Sequence, residues 1–177
     1  MKCRAFDASP LVHFARAGQL NVLETLTATC RRVVPGSVLD EIAKGVGQHP
    51  ELTAVPQQGW LEVVSVGGLE GLGAFAAYAR LLGSGARNVG EPETLAWAET
   101  NEAIAVVHEA AGRTAGGERG VEVHGTLWLI FEAYNAALLD RKPIEELVQR
   151  LAGTDARFPC SPAEVFEWAP ANDLLRR

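Results

Sequence analysis

The chain has 177 residues, 47% of them hydrophobic, which is enough for one domain with a sizeable core. A formal net charge of -6 argues against a broad nucleic-acid-binding face, whose footprint is basic, but leaves room for a local basic groove or a nucleic acid held through metal ions. No run approaches the roughly 18 to 20 apolar residues of a membrane helix.

"MKCRAFDASP" has no apolar core of the signal-peptide kind, and Cys3, Cys30 and Cys160 are scattered without metal-type spacing. The expected setting is a reducing cytoplasm, with the cysteines as small buried hydrophobes and no membrane partner.

Residues 2–6 predict a short strand, followed by a helix over 10–17 that Gly18 stops. Leu20, Val22, Leu23 and Leu26 predict a second short helix. "RRVVP" reads as a strand ending at Pro35, and "GSVLDEIAKG" as a helix ended by Gly45. Residues 46–59 read as a surface loop, and "WLEVVSV" as a strand. The glycine-rich stretch 67–90 is interrupted by a helix over "AFAAYARLL".

A helix from Pro92 to about Thr100 precedes the strand "AIAVV", a short helix in "EAAGRTA" and the strand "VEVH". Next come an apolar helix, "TLWLIFEAYNAALL", and an amphipathic one, "PIEELVQRLA", with Pro143 at its start. From Thr154 the pattern predicts a short strand, a helix opened by "SPAEVFEW" and a loose "NDLLRR" tail. The expected division is a main domain over 1–153 with an extension, 154–177, packed on it.

Strands that alternate with helices make βαβ units, hence a mostly parallel sheet covered on both faces. Ligands of such sheets bind beyond the carboxyl ends of the strands, at a topological switch point. Asp7 ends the first strand, where a functional carboxylate would stand. Its other reading is a helix cap, a role for which Ser9 followed by Pro10 already provides.

Glu41 falls at the border of the apolar face defined by Val38, Leu39 and Ile42, as a ligand or as a surface side chain lying along that face. Glu91 and Glu93 flank Pro92 at a helix start, where either could cap, offset the dipole or bind. Two positions apart, they cannot both point directly at one site.

His108 and Glu109 directly follow a strand. Carboxylates converging on the strand ends suit Mg²⁺ or Mn²⁺ and the phosphoryl chemistry these ions serve. No P-loop, G-x-S-x-G, zinc-spaced cluster or dinucleotide fingerprint competes with that reading.

In order and spacing, "DASPLVHFARAGQLNVL", "VVPGSVLDEIAKG", "GEPETLAWA" and "VHGTLWLIFEA" resemble the PIN-domain family, in particular a prokaryotic branch related to VapC-type toxins. The resemblance implies a three-layer α/β/α sandwich on a mostly parallel sheet, and a metal-dependent endoribonuclease site holding Mg²⁺ or Mn²⁺. Carried over by position, Asp7 matches the first acid with Ser9 as its polar neighbour at the substrate. Glu41 matches the second, and Glu91 or Glu93 the third. A small antitoxin protein and a homodimer are the partners implied, with RNA as substrate.

At the fourth position the chain departs from the branch. His108 stands where the branch has aspartate, while Glu109 and Arg113 remain. Three outcomes are open: Glu109 substitutes, His108 becomes a ligand or proton shuttle, or metal binding weakens and a non-cleaving binding module is left. Arg113 is read as a phosphate contact or a solvated charge. Leu127, Ile130, Phe131 and Tyr134 mark a core or subunit-contact helix.

Overall fold

Alternating apolar residues on adjacent strands build the centre of the molecule, whose structure is a computed structural model describing residues 2–83 and 88–176. The strands are β1 (Cys3–Phe6), β2 (Arg31–Pro35), β3 (Glu62–Val64), β4 (Ile104–Val106) and β5 (Val123–His124). They form one sheet in the order β3-β2-β1-β4-β5, and every pairing is parallel. Ala5 pairs with Val33 on one side and Ala105 on the other. Successive residues on a strand face opposite ways. Phe6, Val34 and Val106 therefore enter one core, and Ala5, Val33 and Ala105 another.

Helices close both faces, as a parallel sheet requires. In chain order they are α1 (Ala8–Arg16), α2 (Leu20–Leu26), α3 (Gly36–Lys44), α4 (Gly68–Leu81), α5 (Gly90–Thr100), α6 (Ala110–Glu118), α7 (Thr126–Asn135), α8 (Arg141–Ala152) and α9 (Val165–Trp168). Leu11, Leu23, Ile130 and Leu151 carry α1, α2, α7 and α8 into the first core. Tyr78, Leu95 and Ala115 carry α4, α5 and α6 into the second. The fold is thus the expected α/β/α sandwich.

Several boundaries move, for identifiable reasons. Asp7, in extended backbone, takes the N-cap position of α1 in place of Ser9, and the helix begins at Ala8. α4 starts at Gly68, ahead of the expected "AFAAYARLL", because packing against α5 holds a glycine-rich first turn that propensity alone would not. Residues 84–87, from the same glycine-rich stretch, lie outside the described residues, as does Arg177. The expected loop 46–59 contains a 3-10 helix over Pro50–Gln57 that buries Leu52 and Val55.

α7 is a core helix. Leu127, Ile130 and Phe131 are buried, so these residues present no apolar face to a second subunit.

The short strand expected after Thr154 is not found among the described residues. Side chains, rather than a strand ladder, fix this segment. His13 Nδ1 donates to Thr154 Oγ1 at 2.8 Å, and Arg16 Nη1 donates to the Thr154 carbonyl at 2.7 Å. Arg16 also pairs with Asp155. The helix expected from Ser161 is split into a 3-10 turn over Pro162–Glu164 and α9. Val165 and Phe166 then join the first core. No helix of the described residues is long and apolar enough to cross a membrane.

Candidate active site

The chain runs from β1 outward to β2 and β3, then returns to the opposite flank of β1 as β4. The switch point therefore lies between the carboxyl ends of β1 and β4, where an open parallel sheet leaves a crevice. Asp7 follows β1, and its N–H donates to the Val106 carbonyl at 3.1 Å, continuing the β1–β4 pairing one step past the strand. Its side chain makes no capping hydrogen bond to α1. Asp7 is buried, with 5% of its surface exposed.

Burial pushes the Asp7 carboxyl up to about 7. The nearby Ala8 and Ser9 amides oppose the shift, and the charges of Glu91 and Glu41 add to it. A carboxylate that only capped a helix would be held down by its amides. Here desolvation and like charge win.

Three more carboxylates stand around it. Glu41 comes from α3 and lies against the first turn of α5, where a methyl on Gly90 would meet Glu41 Oε2 at 3.0 Å. Glycine at this position allows α3 and its acid to approach so closely. Glu91, one residue on, is half-buried, and its Oε1 is buried with no hydrogen-bond partner among the described residues. Burial raises its pKa, as do the charges of Glu109 and Glu41. Glu109, exposed, holds the N-cap position of α6. Asp7, Glu41, Glu91 and Glu109 thus share one electrostatic neighbourhood.

Glu93 is turned elsewhere. It accepts hydrogen bonds from the Ser37 hydroxyl and from the Val66 N–H, the latter at 3.2 Å. It ties α5 to the start of α3 and to the segment after β3. Of the two acids flanking Pro92, Glu91 faces the crevice and Glu93 the scaffold.

His108 has neither ring nitrogen free. Nε2 donates to the Arg157 carbonyl at 3.0 Å, which leaves Nδ1 to accept from the Thr126 hydroxyl at 3.2 Å. A carbonyl can only accept, so Nε2 carries the proton of the neutral ring. Burial, the largest cause, lowers its pKa in keeping with that state. With both nitrogens engaged, His108 offers no lone pair to a metal in this arrangement.

Arg113 is half-buried and bonded to the backbone. Its Nη1 donates to the His108 carbonyl and, at 3.5 Å, to that of Val107, fastening α6 to the end of β4. Ser9 is half-buried in the first turn of α1, with its amide beside the Asp7 carboxyl.

Sequence reasoning missed three contributors. Gly112 clears the space that the Glu91 carboxylate occupies, and a glycine inside a helix was the available signal. Ser37 and His13 gave none, because their partners, Glu93 and Thr154, are 56 and 141 residues away.

The donor set fits a hard divalent cation: all oxygen, mutually repelling, with one buried oxygen unpartnered. As the side chains lie, no group of three or more His, Cys, Asp or Glu among the described residues is gathered closely enough to hold an ion.

An all-parallel α/β/α sandwich with acids collected at its switch point defines a class of fold whose ligand site is the sheet's carboxyl edge. The chain belongs to the PIN-domain family, whose family model matches residues 3–166. Membership points to a nuclease-type function, and PIN domains generally use divalent metals. No curated protein sequence matches the chain.

Proposed function

We propose that the chain is a metal-dependent endoribonuclease of the VapC toxin type, with Asp7, Glu41, Glu91 and Glu109 holding Mg²⁺ or Mn²⁺. The observation that carries the reading is Asp7, a carboxyl buried at the switch point and raised to about 7 by desolvation and two neighbouring acids. Such a group weakens the fold, and proteins keep such groups chiefly where chemistry uses them. A bound divalent cation would neutralise the acids, polarise the scissile phosphate and lower the pKa of an attacking water.

The chain's own residues do the positioning. The β1–α1 junction fixes Asp7, and Gly112 gives Glu91 its place over α6. Arg113 locks the β4 end, so that Glu109 projects from a rigid N-cap. Glu109 is the exposed member of the four. Glu93 and His108 brace this frame from outside. A small antitoxin-like protein belongs to the same reading, and it is supported by the apolar side chains α4 leaves in water, Leu69 at 92% exposure and Leu72 at 56%.

The test is cleavage of a labelled RNA pool by the pure protein in Mn²⁺, Mg²⁺ or EDTA, beside Asp7→Asn. Metal-dependent cutting that the variant loses supports the reading; no cutting in any metal contradicts it. A second reading, a PIN-type module that binds without cleaving, is favoured by His108 alone, whose ring stands at the fourth acidic position with both nitrogens engaged. It predicts that Mn²⁺ leaves the melting temperature unchanged.

A further inference from the structure

At Glu109 opens a cavity of about 350 Å³ whose walls include none of Asp7, Glu41 and Glu91. Its walls include Glu109 and Arg113 at the β4–α6 corner, Trp128 from α7, and Arg157, Phe158 and Trp168 from the C-terminal segment. The volume is at the small end of ordinary ligand pockets, roughly 300 to 1,000 Å³, so it suits one planar group rather than a long segment. A larger cavity, of about 560 Å³ between α8 and Pro162–Ala163, is lined largely by charged side chains and lies away from the acids.

The segment that supplies the far wall is held in place. The hydrogen bonds of His13 and Arg16 to Thr154 anchor one end, and that of His108 to the Arg157 carbonyl anchors the other. The Phe158 ring is set edge-on to His108, with centroids 5.6 Å apart and planes at 76°. Its orientation is therefore fixed before any ligand arrives.

Arg16, Arg31, Arg119, Arg141 and Arg176 are each paired with an acid. Arg157, like Arg4, Arg32, Arg80, Arg113 and Arg150, is not paired with an acid among the described residues. It is exposed. An unpaired cation and a fixed aromatic ring on adjacent residues, opening beside a carboxylate of the site, match an alternation of phosphate and base.

We infer that this cavity binds one nucleotide of a single-stranded RNA, its base against the Phe158 ring and its adjoining phosphate on Arg157. The inference takes its ligand from the nuclease reading and adds where the strand is gripped. A base inside a duplex is stacked on both sides and cannot enter such a wall, so the ligand is single-stranded. Stacking on an aromatic face accepts any base, so the grip is tolerant of sequence.

The test is fluorescence anisotropy of a short labelled single-stranded RNA with the full chain in EDTA, a readout independent of cleavage. Arg157→Ala should weaken binding about fivefold or more and flatten the salt dependence by about 0.7 in log–log slope, one phosphate contact. Phe158→Leu keeps the apolar bulk but loses the ring, and should weaken binding about fivefold or more, while Phe158→Tyr should restore it. Loss of binding in both variants upholds the pocket even if no metal gives cleavage. Unchanged affinity in both overturns it, and does so without touching the nuclease reading if the wild type still cuts. Failure of the wild type to bind, or equal binding of a duplex of the same sequence, also overturns it.

Discussion

The Glu91 carboxylate occupies the space above Gly112 that a β-carbon at that position would need. One helix thus omits a side chain so that the acid of another can reach the crevice. Alanine is ordinarily the better residue inside a helix, by about 0.5 to 1 kcal/mol. At 112 its methyl would strike Glu91 and lie 2.8 Å from Val107 Cγ1. Gly112→Ala should therefore lower the melting temperature and reduce RNA cleavage at least about tenfold. A rise in melting temperature with full activity would show that Glu91 does not need this space.

Asp7→Asn should abolish cleavage and stabilise the metal-free protein. A carboxyl whose pKa is about 7 in the fold holds its proton more firmly than an unfolded aspartate near 3.8. The fold therefore loses stability as pH rises from about 4, where unfolded Asp7 ionises, through about 7, where folded Asp7 does. Asparagine removes that loss. The gain should be on the order of 2 to 4 kcal/mol at pH 8 and close to zero at pH 4. Thermal melts at the two pH values measure it; destabilisation at pH 8 would make Asp7 a structural residue.

Saturating Mn²⁺ should raise the melting temperature of the wild type at pH 8, and much less that of Asp7→Asn. The same cation should help less at pH 6, where the Asp7 proton competes with it. Equal shifts for both proteins would place the ion elsewhere.

His108→Ala removes two hydrogen bonds, one that fastens the C-terminal segment at Arg157 to the end of β4 and one to Thr126 at the start of α7. The expected loss is about 1 to 3 kcal/mol, since the Thr126 hydroxyl and the Arg157 carbonyl lose their partner. The segment should also open locally, and limited trypsin digestion should cut after Arg157 sooner than in the wild type. An unchanged digestion pattern would mean that His13 and Arg16 suffice to hold it.

The central strands and the place of Asp7 at the end of the first one were legible because their signals are local. "RRVVP" and "AIAVV" carry buried runs, and Asp7 stands one residue past β1. The border position of Glu41 also followed from helical spacing. Glu91 and Glu93 could not be told apart from sequence, because both occupy the first turn of α5. Their roles are set from a distance, by Gly112 and Ser37. The role of His108 was hidden for the same reason: Thr126 and Arg157 lie 18 and 49 residues away. The strand expected after Thr154 failed because that segment is fixed by side chains from α1 and by His108, just past β4, which periodicity does not register.

Glu93→Ala should act on the scaffold. It removes hydrogen bonds from Ser37 and the Val66 N–H, at an expected cost of about 1 to 3 kcal/mol. Below its lowered melting temperature, cleavage should stay within a few-fold of wild type. Complete inactivity in a folded variant would return Glu93 to the metal site.

The most direct test of the acid cluster as a nuclease site is cleavage of labelled RNA in Mn²⁺ at pH 8 by the wild type and by Glu91→Gln. The glutamine keeps the shape over Gly112 and removes one of the mutually repelling charges, so lost activity cannot be blamed on lost stability. The account predicts metal-dependent cleavage by the wild type and a loss of at least about a hundredfold in the variant, with an equal or higher melting temperature. Equal cleavage by both proteins, or none by the wild type, would contradict it.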